Sequence, residues 1–182
     1  MIGHLLRNVR AGEARSPFAD SAFAAPDGIT VTSTALSDGA AMPKASAGKG
    51  VGDNTSPQLS WTGLPPGTRQ VVLIMDDVDV PLPRPILHAV AVIEATVEQV
   101  DTGALQPGTA GIRFLPGSLR NLGYAGPRPI PGHGPHRYRF LVFALDAPVA
   151  RSITKAKALQ KQMAGHVLAR GVLTGTYERL RS

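Results

Sequence analysis

The chain has 182 residues, of which 43% are apolar and 18% are charged, and this length and balance favour one compact domain and argue against a disordered chain. It contains no cysteine, which excludes disulfides, thiol nucleophiles and every cysteine-liganded metal site. The net charge of +6 would suit nucleic acid, but the basic excess is confined to residues 121–182 and aromatic residues make up only 5% of the chain, so we favour a solvated basic face and expect no nucleic-acid partner.

The sequence pattern predicts no membrane span and no secretion signal. The longest apolar runs, such as residues 71–75, are about five residues long, far below the roughly 18–20 residues that cross a bilayer. Charged residues interrupt the N-terminal stretch, so the apolar core of a signal peptide is missing. We therefore expect a cytoplasmic protein without stable membrane insertion.

The N-terminal stretch has the pattern of a short amphipathic helix. Its apolar residues recur at the spacing of one helical face, and they are Ile2, Leu5, Leu6 and Val9. Such an arm can pack on its own domain or on a second copy of the chain. We divide the chain into an N-terminal amphipathic arm over residues 1–27 and a main domain over residues 28–182, and we expect a homodimer formed through the arm.

The main domain has the patterns of a β-rich fold. Alternating or continuously apolar runs of strand length occupy residues 29–33, 58–61, 71–75, 88–93, 137–145 and 172–177. The period changes after Ser152, which can serve as an N-cap, and residues 154–170 predict a helix that ends at Gly171. We predict a mostly β fold with a C-terminal α-helix, either an antiparallel two-sheet β-sandwich or an open barrel.

Two acidic residues stand where the predicted 71–75 strand ends. Asp77 and Asp79 are two positions apart, so in extended backbone their carboxylates point to one face while Asp76 points to the other. The following segment, residues 80–85, contains three prolines, which cannot continue a central strand. The pair is therefore predicted at the solvent-reachable rim of the sheet, where pockets form.

Histidine and tyrosine residues at the starts of other predicted strands can lie in the same site as these acids. His136 and Tyr138 share one face at the start of another predicted strand, and the arginines beside them take the other face. His88 opens the 88–93 strand, and the Gly/Pro-rich loop 123–135 exposes backbone N–H groups. This combination can bind an anion through protonated groups, hold a metal ion or run acid–base chemistry.

Four ordered segments of the chain carry a family resemblance. They are NTSPQLSW at residues 54–61, DVDVP at 77–81, the segment from Gly126-Pro127 to the HRY run at 136–138, and the GHVLA and LTGTY runs at 165–169 and 173–177. Over about residues 29–179 the chain resembles the phosphatidylethanolamine-binding protein family, in particular its bacterial Raf-kinase-inhibitor-like branch.

The resemblance implies a β-sandwich with a small anion-binding cavity at one end. The ligand-binding residues that it implies are Asp77, Asp79, His88, Pro127, His136 and Tyr138. The chain departs from the family pattern at Val78 and Val80, which replace a proline and an alanine, and in the short stretch that precedes His88. Ala89 stands where the family usually has tryptophan, which removes an aromatic wall.

Two functions fit these residues. The leading hypothesis is a non-enzymatic binding module for a small anion, for a phosphorylated headgroup such as that of a phospholipid, or for an acidic peptide side chain. In this hypothesis the module regulates a protein partner and uses no cofactor. The alternative is a metal-dependent hydrolase whose divalent metal ion would be held by Asp77, Asp79, His88 and His136. The hydrolase is the weaker hypothesis, because the sequence has no HExxH, GxSxG or P-loop pattern and no evident nucleophile.

Overall fold

Two antiparallel sheets carry the fold in residues 2–180, which are the residues that the computed structural model describes. The smaller sheet contains, in spatial order, β1 (Thr30–Thr32), β2 (Leu59–Thr62) and β5 (Gln99–Val100). The larger sheet contains β6 (Ile112–Leu115), β4 (Ile86–Glu94), β3 (Gln70–Asp77), β7 (His136–Leu145) and β8 (Val167–Tyr177). Two α-helices are α1 (Ile2–Leu6) and α2 (Ala156–Met163). The predicted mostly β fold, with two antiparallel sheets and a C-terminal helix, is confirmed.

Strand β3 is buried on both faces, which explains why its sequence is continuously apolar. Val71 and Leu73 face the smaller sheet, in a core cluster that includes Trp61. The alternate residues Val72 and Ile74 lie in a second cluster on the opposite side of the sheet. A strand that is buried on both faces has no polar face, so its sequence loses the alternation of a half-exposed strand.

The second core cluster is covered by the N-terminal segment and by α2. The ring of Phe23 is buried and packs edge-on against Phe143, with the ring centroids 5.8 Å apart. Leu159 and Met163 of α2 are buried in the same cluster. Residues from both ends of the chain therefore close the outer face of the larger sheet.

The N-terminal arm begins with the predicted short helix, α1, and then follows the surface of the domain. The backbone N–H groups of Ala11 and Gly12 donate to the carbonyl groups of Val80 and Val78 at 2.9 and 2.8 Å. Three residues of the predicted apolar stripe are exposed, namely Ile2, Leu5 and Val9. These backbone hydrogen bonds hold the arm at Ala11 and Gly12, whereas most of the apolar stripe makes no buried contact. Both the boundary at residue 27 and the homodimer stay predictions.

The predicted C-terminal helix is too long at both ends. Helix α2 ends at Met163 instead of reaching residue 170, and its N-cap position is Lys155 instead of Ser152. Gly165 takes a φ of +78°, a left-handed conformation that leads the chain out of the helix.

Gly171 does not end a helix, because it lies in the middle of β8. A Cβ atom at this position would be 2.1 Å from the carbonyl oxygen of Ile29, so glycine permits a close approach of two backbones. The residues before it pair with β7, as Ala169 does with Ala144. Long-range pairing therefore overrides the local helix propensity of this stretch.

The strands of the larger sheet bring the candidate site residues to one edge. Strand β3 ends at Asp77, and its antiparallel neighbours β4 and β7 begin beside that residue. Asp77 is paired with Ile86 of β4 and with Tyr138 of β7. Segments that are distant in the sequence thus meet at this edge.

Candidate functional site

A cavity of about 1170 Å³ lies where β3 ends and β4 and β7 begin. Four of the predicted ligand-binding residues are in its lining, and they are Asp77, His88, His136 and Tyr138. Asp79 and Pro127 are not in the lining. The fold therefore brings most of the predicted set together and places these two elsewhere.

Asp77 and His136 form a buried pair in the cavity wall. The Nδ1 atom of His136 lies 2.8 Å from Oδ2 of Asp77, and Oδ1 of Asp77 accepts the backbone N–H of Asp79 at 2.9 Å. The side chains of Asp77 and His136 are only 2% and 1% exposed. Asp79 is also only 2% exposed. The expectation that the two carboxylates are solvent-reachable is therefore wrong for both, although Asp77 lies in the cavity wall.

His88 presents an unpaired nitrogen beside this pair. Its Nδ1 lies 2.6 Å from the carbonyl oxygen of Ala125, and because a carbonyl only accepts, Nδ1 carries the proton. Burial lowers the pKa of His88, although the charge of Asp77 acts in the opposite direction. The ring is therefore neutral near pH 7, and Nε2 is an acceptor without a protein partner among the described residues.

Tyr138 and Asn121 add two more unpaired polar atoms. The hydroxyl of Tyr138 has no partner within residues 2–180, and burial together with Asp77 raises the pKa of Tyr138, so the hydroxyl keeps its proton. The amide nitrogen of Asn121 donates to the carbonyls of His88 and Gly123 at 2.8 and 2.6 Å. Its Oδ1 is thereby left as a buried acceptor.

His133 is a site residue that the sequence reasoning missed. It is fully buried, and its Nδ1 lies 2.7 Å from Nε2 of His136. Its Nε2 lies 2.8 Å from the carbonyl oxygen of Leu6 in α1. The spacing of His133 and His136 in the GHGPHRY run is the sequence signal that could have drawn attention to it.

Asp79 belongs to an ion-pair network that holds the arm. Its carboxylate accepts from Nε and Nη2 of Arg137, each at 2.9 Å, and it lies 3.1 Å from Nη1 of Arg10. Burial alone would raise the pKa of Asp79, but the hydrogen bonds and charge of Arg137, with the charge of Arg10, lower it to about 2. Strand β3 ends before Asp79, so the predicted alternation with Asp77 does not extend to it.

Pro127 stands between two residues of the cavity lining, Gly126 and Arg128. The carbonyl of Pro127 accepts the backbone N–H of Gly48 at 2.9 Å. Asn54 ties down the same loop, because its Oδ1 accepts the N–H of Gly126 at 2.8 Å and its Nδ2 donates to Tyr124 at 3.2 Å. Part of the backbone that was predicted to be exposed for anion binding is thus used within the protein.

Ala89 does not form a wall of the cavity. It is fully buried in the core cluster between the sheets, opposite Met75 in the β3–β4 register. It is not part of the cavity lining. Alanine in place of the family's tryptophan at this position therefore changes the packing of the core next to the cavity and not the cavity wall.

Neither a metal cluster nor a membrane-spanning helix is found in the described part of the chain. Within residues 2–180, no group of three or more His, Cys, Asp or Glu side chains is arranged to hold a metal ion. None of the helices in these residues is long and apolar enough to cross a bilayer.

Comparison with known proteins identifies the family. Residues 32–178 match the sequence model described as phosphatidylethanolamine-binding protein. A UPF0098 protein of Aquifex aeolicus is 36% identical over 132 residues, which cover 70% of this chain and 77% of that protein.

Two crystal structures are similar throughout most of the chain. The homologue CT736 from Chlamydia trachomatis has a TM-score of 0.75 and 28% identity, and the match covers 84% of this chain and 99% of that one. YbcL of Escherichia coli has a TM-score of 0.74 and 27% identity, with 83% and 98% covered. With the family model matching well over half of its length, this chain belongs to the phosphatidylethanolamine-binding protein family.

Proposed function

We propose that the chain is a non-enzymatic binding module whose cavity takes a phosphate-like group, either as a free anion or as a phosphorylated headgroup. The observation that carries this proposal is a set of buried polar atoms without partners in residues 2–180. They are Trp61 Nε1, His88 Nε2, Asn121 Oδ1 and Tyr138 OH. The last three belong to residues of the cavity lining. Leaving such an atom unpaired costs about 1–3 kcal/mol, so a ligand that completes the hydrogen bonds is stabilised.

The donors and acceptors of these atoms define the chemistry of the group that fits. His88 Nε2 and Asn121 Oδ1 accept hydrogen bonds, whereas the Tyr138 hydroxyl can donate one. A singly protonated phosphate offers both a P–O–H donor and unprotonated acceptor oxygens. A fully deprotonated phosphate offers no donor, and the second pKa of a phosphate monoester is about 6. We therefore assign the protonated form to the bound state.

Charges around the cavity favour an anion. Lys49 and Arg128 are exposed residues of the lining, and their charges outnumber that of Asp53, which is also exposed and in the lining. Asp77 is paired with His136 at 2.8 Å, so its charge is compensated when the imidazole is protonated. A cationic entrance raises the local concentration of acidic ligands.

Apolar residues surround the entrance and favour a ligand with an apolar part. Leu82, Leu119 and Leu122 are 48%, 54% and 53% exposed, and all three are in the cavity lining. Exposed apolar side chains that are grouped at one opening are typical of a binding site. This grouping supports a phosphorylated headgroup with an attached apolar chain over free phosphate.

Isothermal titration calorimetry at about pH 6 tests the proposal. The probes are inorganic phosphate, phosphoethanolamine and a short-chain phosphatidic acid, a phospholipid that is a phosphate monoester, below its critical micelle concentration. We expect saturable binding, strongest for the phospholipid, and an affinity about tenfold lower in Tyr138→Phe, which loses one hydrogen bond to a charged group. Tyr177→Phe removes a tyrosine hydroxyl outside the cavity and should bind normally. Absence of saturable binding for all three probes, or equal affinity in Tyr138→Phe, contradicts the proposal.

The proposal includes three expectations about the protein as a whole: regulation of a protein partner, a cytoplasmic location, and a homodimer formed through the arm. The exposed apolar side chains of α1 support the homodimer. Sedimentation of the full chain and of Leu5→Ser tests it, since a dimer through this helix should dissociate more readily in the variant. A monomer at all concentrations of the full chain contradicts it.

A further inference from the structure

A continuous line of hydrogen-bonding groups connects the N-terminal arm with the cavity. The carbonyl oxygen of Leu6 lies 2.8 Å from Nε2 of His133. Nδ1 of His133 lies 2.7 Å from Nε2 of His136, and Nδ1 of His136 lies 2.8 Å from Oδ2 of Asp77. Leu6 belongs to the arm and Asp77 belongs to the cavity wall, so the line joins two parts of the molecule.

The number of protons in this line follows from the chemistry of its ends. Each of the three links is a hydrogen bond only if one proton lies in it. The Leu6 carbonyl cannot donate, so Nε2 of His133 carries a proton. A carboxylate cannot donate either, so Nδ1 of His136 carries a proton when Asp77 is ionised. Two neutral imidazoles supply these two protons and no third, so the link between the rings requires one additional proton.

The surrounding groups place the additional proton on His136. Burial and the neighbouring His136 lower the pKa of His133, although the Leu6 carbonyl acts in the opposite direction. Neutral His133 with its proton on Nε2 accepts at Nδ1, and His136 then carries protons on both nitrogens. As a cation it faces the Asp77 carboxylate, which compensates its charge.

The other charged or titratable groups near the two rings are paired or neutral. Arg10, whose Nη2 lies 3.5 Å from the His133 carbonyl, is paired with Asp79 at 3.1 Å. The ring of Tyr138 is stacked on His136 with the centroids 6.3 Å apart, and burial keeps this phenol protonated. His88 is neutral because of its burial.

We propose that docking of the N-terminal arm, through the Leu6 carbonyl and His133, holds His136 in its cationic form and thereby strengthens anion binding in the cavity. The Leu6 carbonyl keeps the proton of His133 on Nε2. In this tautomer, Nδ1 of His133 accepts a hydrogen bond from the protonated Nε2 of His136. His133 is a positioning residue that acts through His136. Because coupling between two sites is reciprocal, an anion in the cavity should also stabilise the docked arm. The statement about anion binding rests on the proposed function, whereas the statement about the proton does not.

Gly3 offers a way to displace the arm without changing any group of the line. A Cβ atom at Gly3 would lie 2.3 Å from the carbonyl oxygen of Pro131 and 3.0 Å from the backbone nitrogen of His133. Gly3→Ala therefore blocks docking while it favours the helical state of α1. Gly28→Ala is the matched control, because the contact that its Cβ would make is an ordinary one of 3.8 Å.

Long-range ¹H–¹⁵N NMR on histidine-labelled full-length protein tests the proton assignment. Near pH 7 we expect a neutral His133 with its proton on Nε2 and a His136 with both nitrogens protonated. The titration midpoint of His136 should fall by about one pH unit in Gly3→Ala, a tenfold loss of proton affinity, and it should stay unchanged in Gly28→Ala. The amide signals of residues 2–9 should shift with the same midpoint as His136.

Two results overturn the proposal: a singly protonated His136 near pH 7 in the unmodified protein, or equal His136 midpoints in Gly3→Ala and Gly28→Ala. Phosphate titrations on the same samples separate this inference from the proposed function. Weaker phosphate binding in Gly3→Ala but not in Gly28→Ala supports the coupling. If the NMR result is as expected but phosphate does not bind to any of the samples, the proposed function fails and the proton link stands.

Discussion

Asp76 and Arg139 face each other in the β3–β7 register and form a buried ion pair with two hydrogen bonds. Nε and Nη2 of Arg139 donate to the two carboxylate oxygens at 3.0 and 2.9 Å. The hydroxyl of Ser16 donates to the same carboxylate at 2.5 Å, and Glu13 lies 3.3 Å from Nη1 of Arg139. The N-terminal segment is therefore anchored to the face of β3 that lies opposite the cavity.

Removal of the arginine from this pair should destabilise the protein strongly. Arg139→Met leaves the fully buried carboxylate of Asp76 without its cation, and we expect a loss of about 3–5 kcal/mol in the free energy of unfolding. Lys157→Met, on the exposed face of α2, should change it by less than about 0.5 kcal/mol. Urea denaturation measures both values, and similar values for the two variants would contradict the importance of the buried pair.

The contribution of Asp79 to stability should disappear at low pH. The pKa of this carboxyl falls from its ordinary value of 3.8 to about 2 in the folded protein, so the folded state favours the ionised form. The stabilisation is therefore complete above about pH 4 and is lost as the pH falls through about 2. At about 1.4 kcal/mol for each pKa unit, its size is of the order of 2 kcal/mol.

Urea denaturation of the unmodified protein and of Asp79→Asn over this range of pH checks the Asp79 prediction. The two proteins should differ in stability near neutral pH, and the difference should shrink as the pH approaches 2. A difference that is independent of pH would show that the lost interaction does not depend on the charge of Asp79.

Phosphate affinity should increase as the pH falls from about 8 to about 5.5, because the phosphate group gains a proton near this range. The P–O–H group of the protonated form donates the hydrogen bond that His88 Nε2 accepts. Calorimetry across this range measures the change. His166→Gln, which removes a half-exposed histidine paired with Asp146, should leave the slope unchanged, and a flat profile in the unmodified protein contradicts the acceptor role of His88.

The purified protein should not hydrolyse phosphomonoesters, phosphodiesters or carboxyl esters above background, with or without zinc, manganese or magnesium. Near the cavity His136 is engaged on both ring nitrogens, so it is not free to act as a base. Hydrolysis that requires a metal ion, is lost in Asp77→Asn and is retained in Asp79→Asn would contradict this prediction, because Asp77 lies in the cavity wall and Asp79 does not.

Sequence periodicity predicts the mostly β fold and one wall of the cavity, whereas the choice of a sandwich over an open barrel came from the family resemblance. In β7 the extended backbone continues through Leu145, so strict alternation correctly separates His136 and Tyr138 from the neighbouring arginines. The same rule fails after Asp77, because β3 ends there. The carboxylate of Asp79 turns away from the cavity lining and accepts a hydrogen bond from Arg137. A local period predicts side-chain directions only while the regular backbone that produces it continues.

The tertiary structure alone decided the strand conformation of residues 167–170 and the role of His133. These four residues follow the glycine that ends α2 and have helix-compatible side chains, but pairing with β7 makes them a strand. His133 becomes part of the site because its partner, the Leu6 carbonyl, comes from a segment 127 residues away in the sequence. Backbone carbonyls are identical along the chain, so their encounter with a particular side chain depends on how the arm packs against the sheet and leaves no local pattern in the sequence.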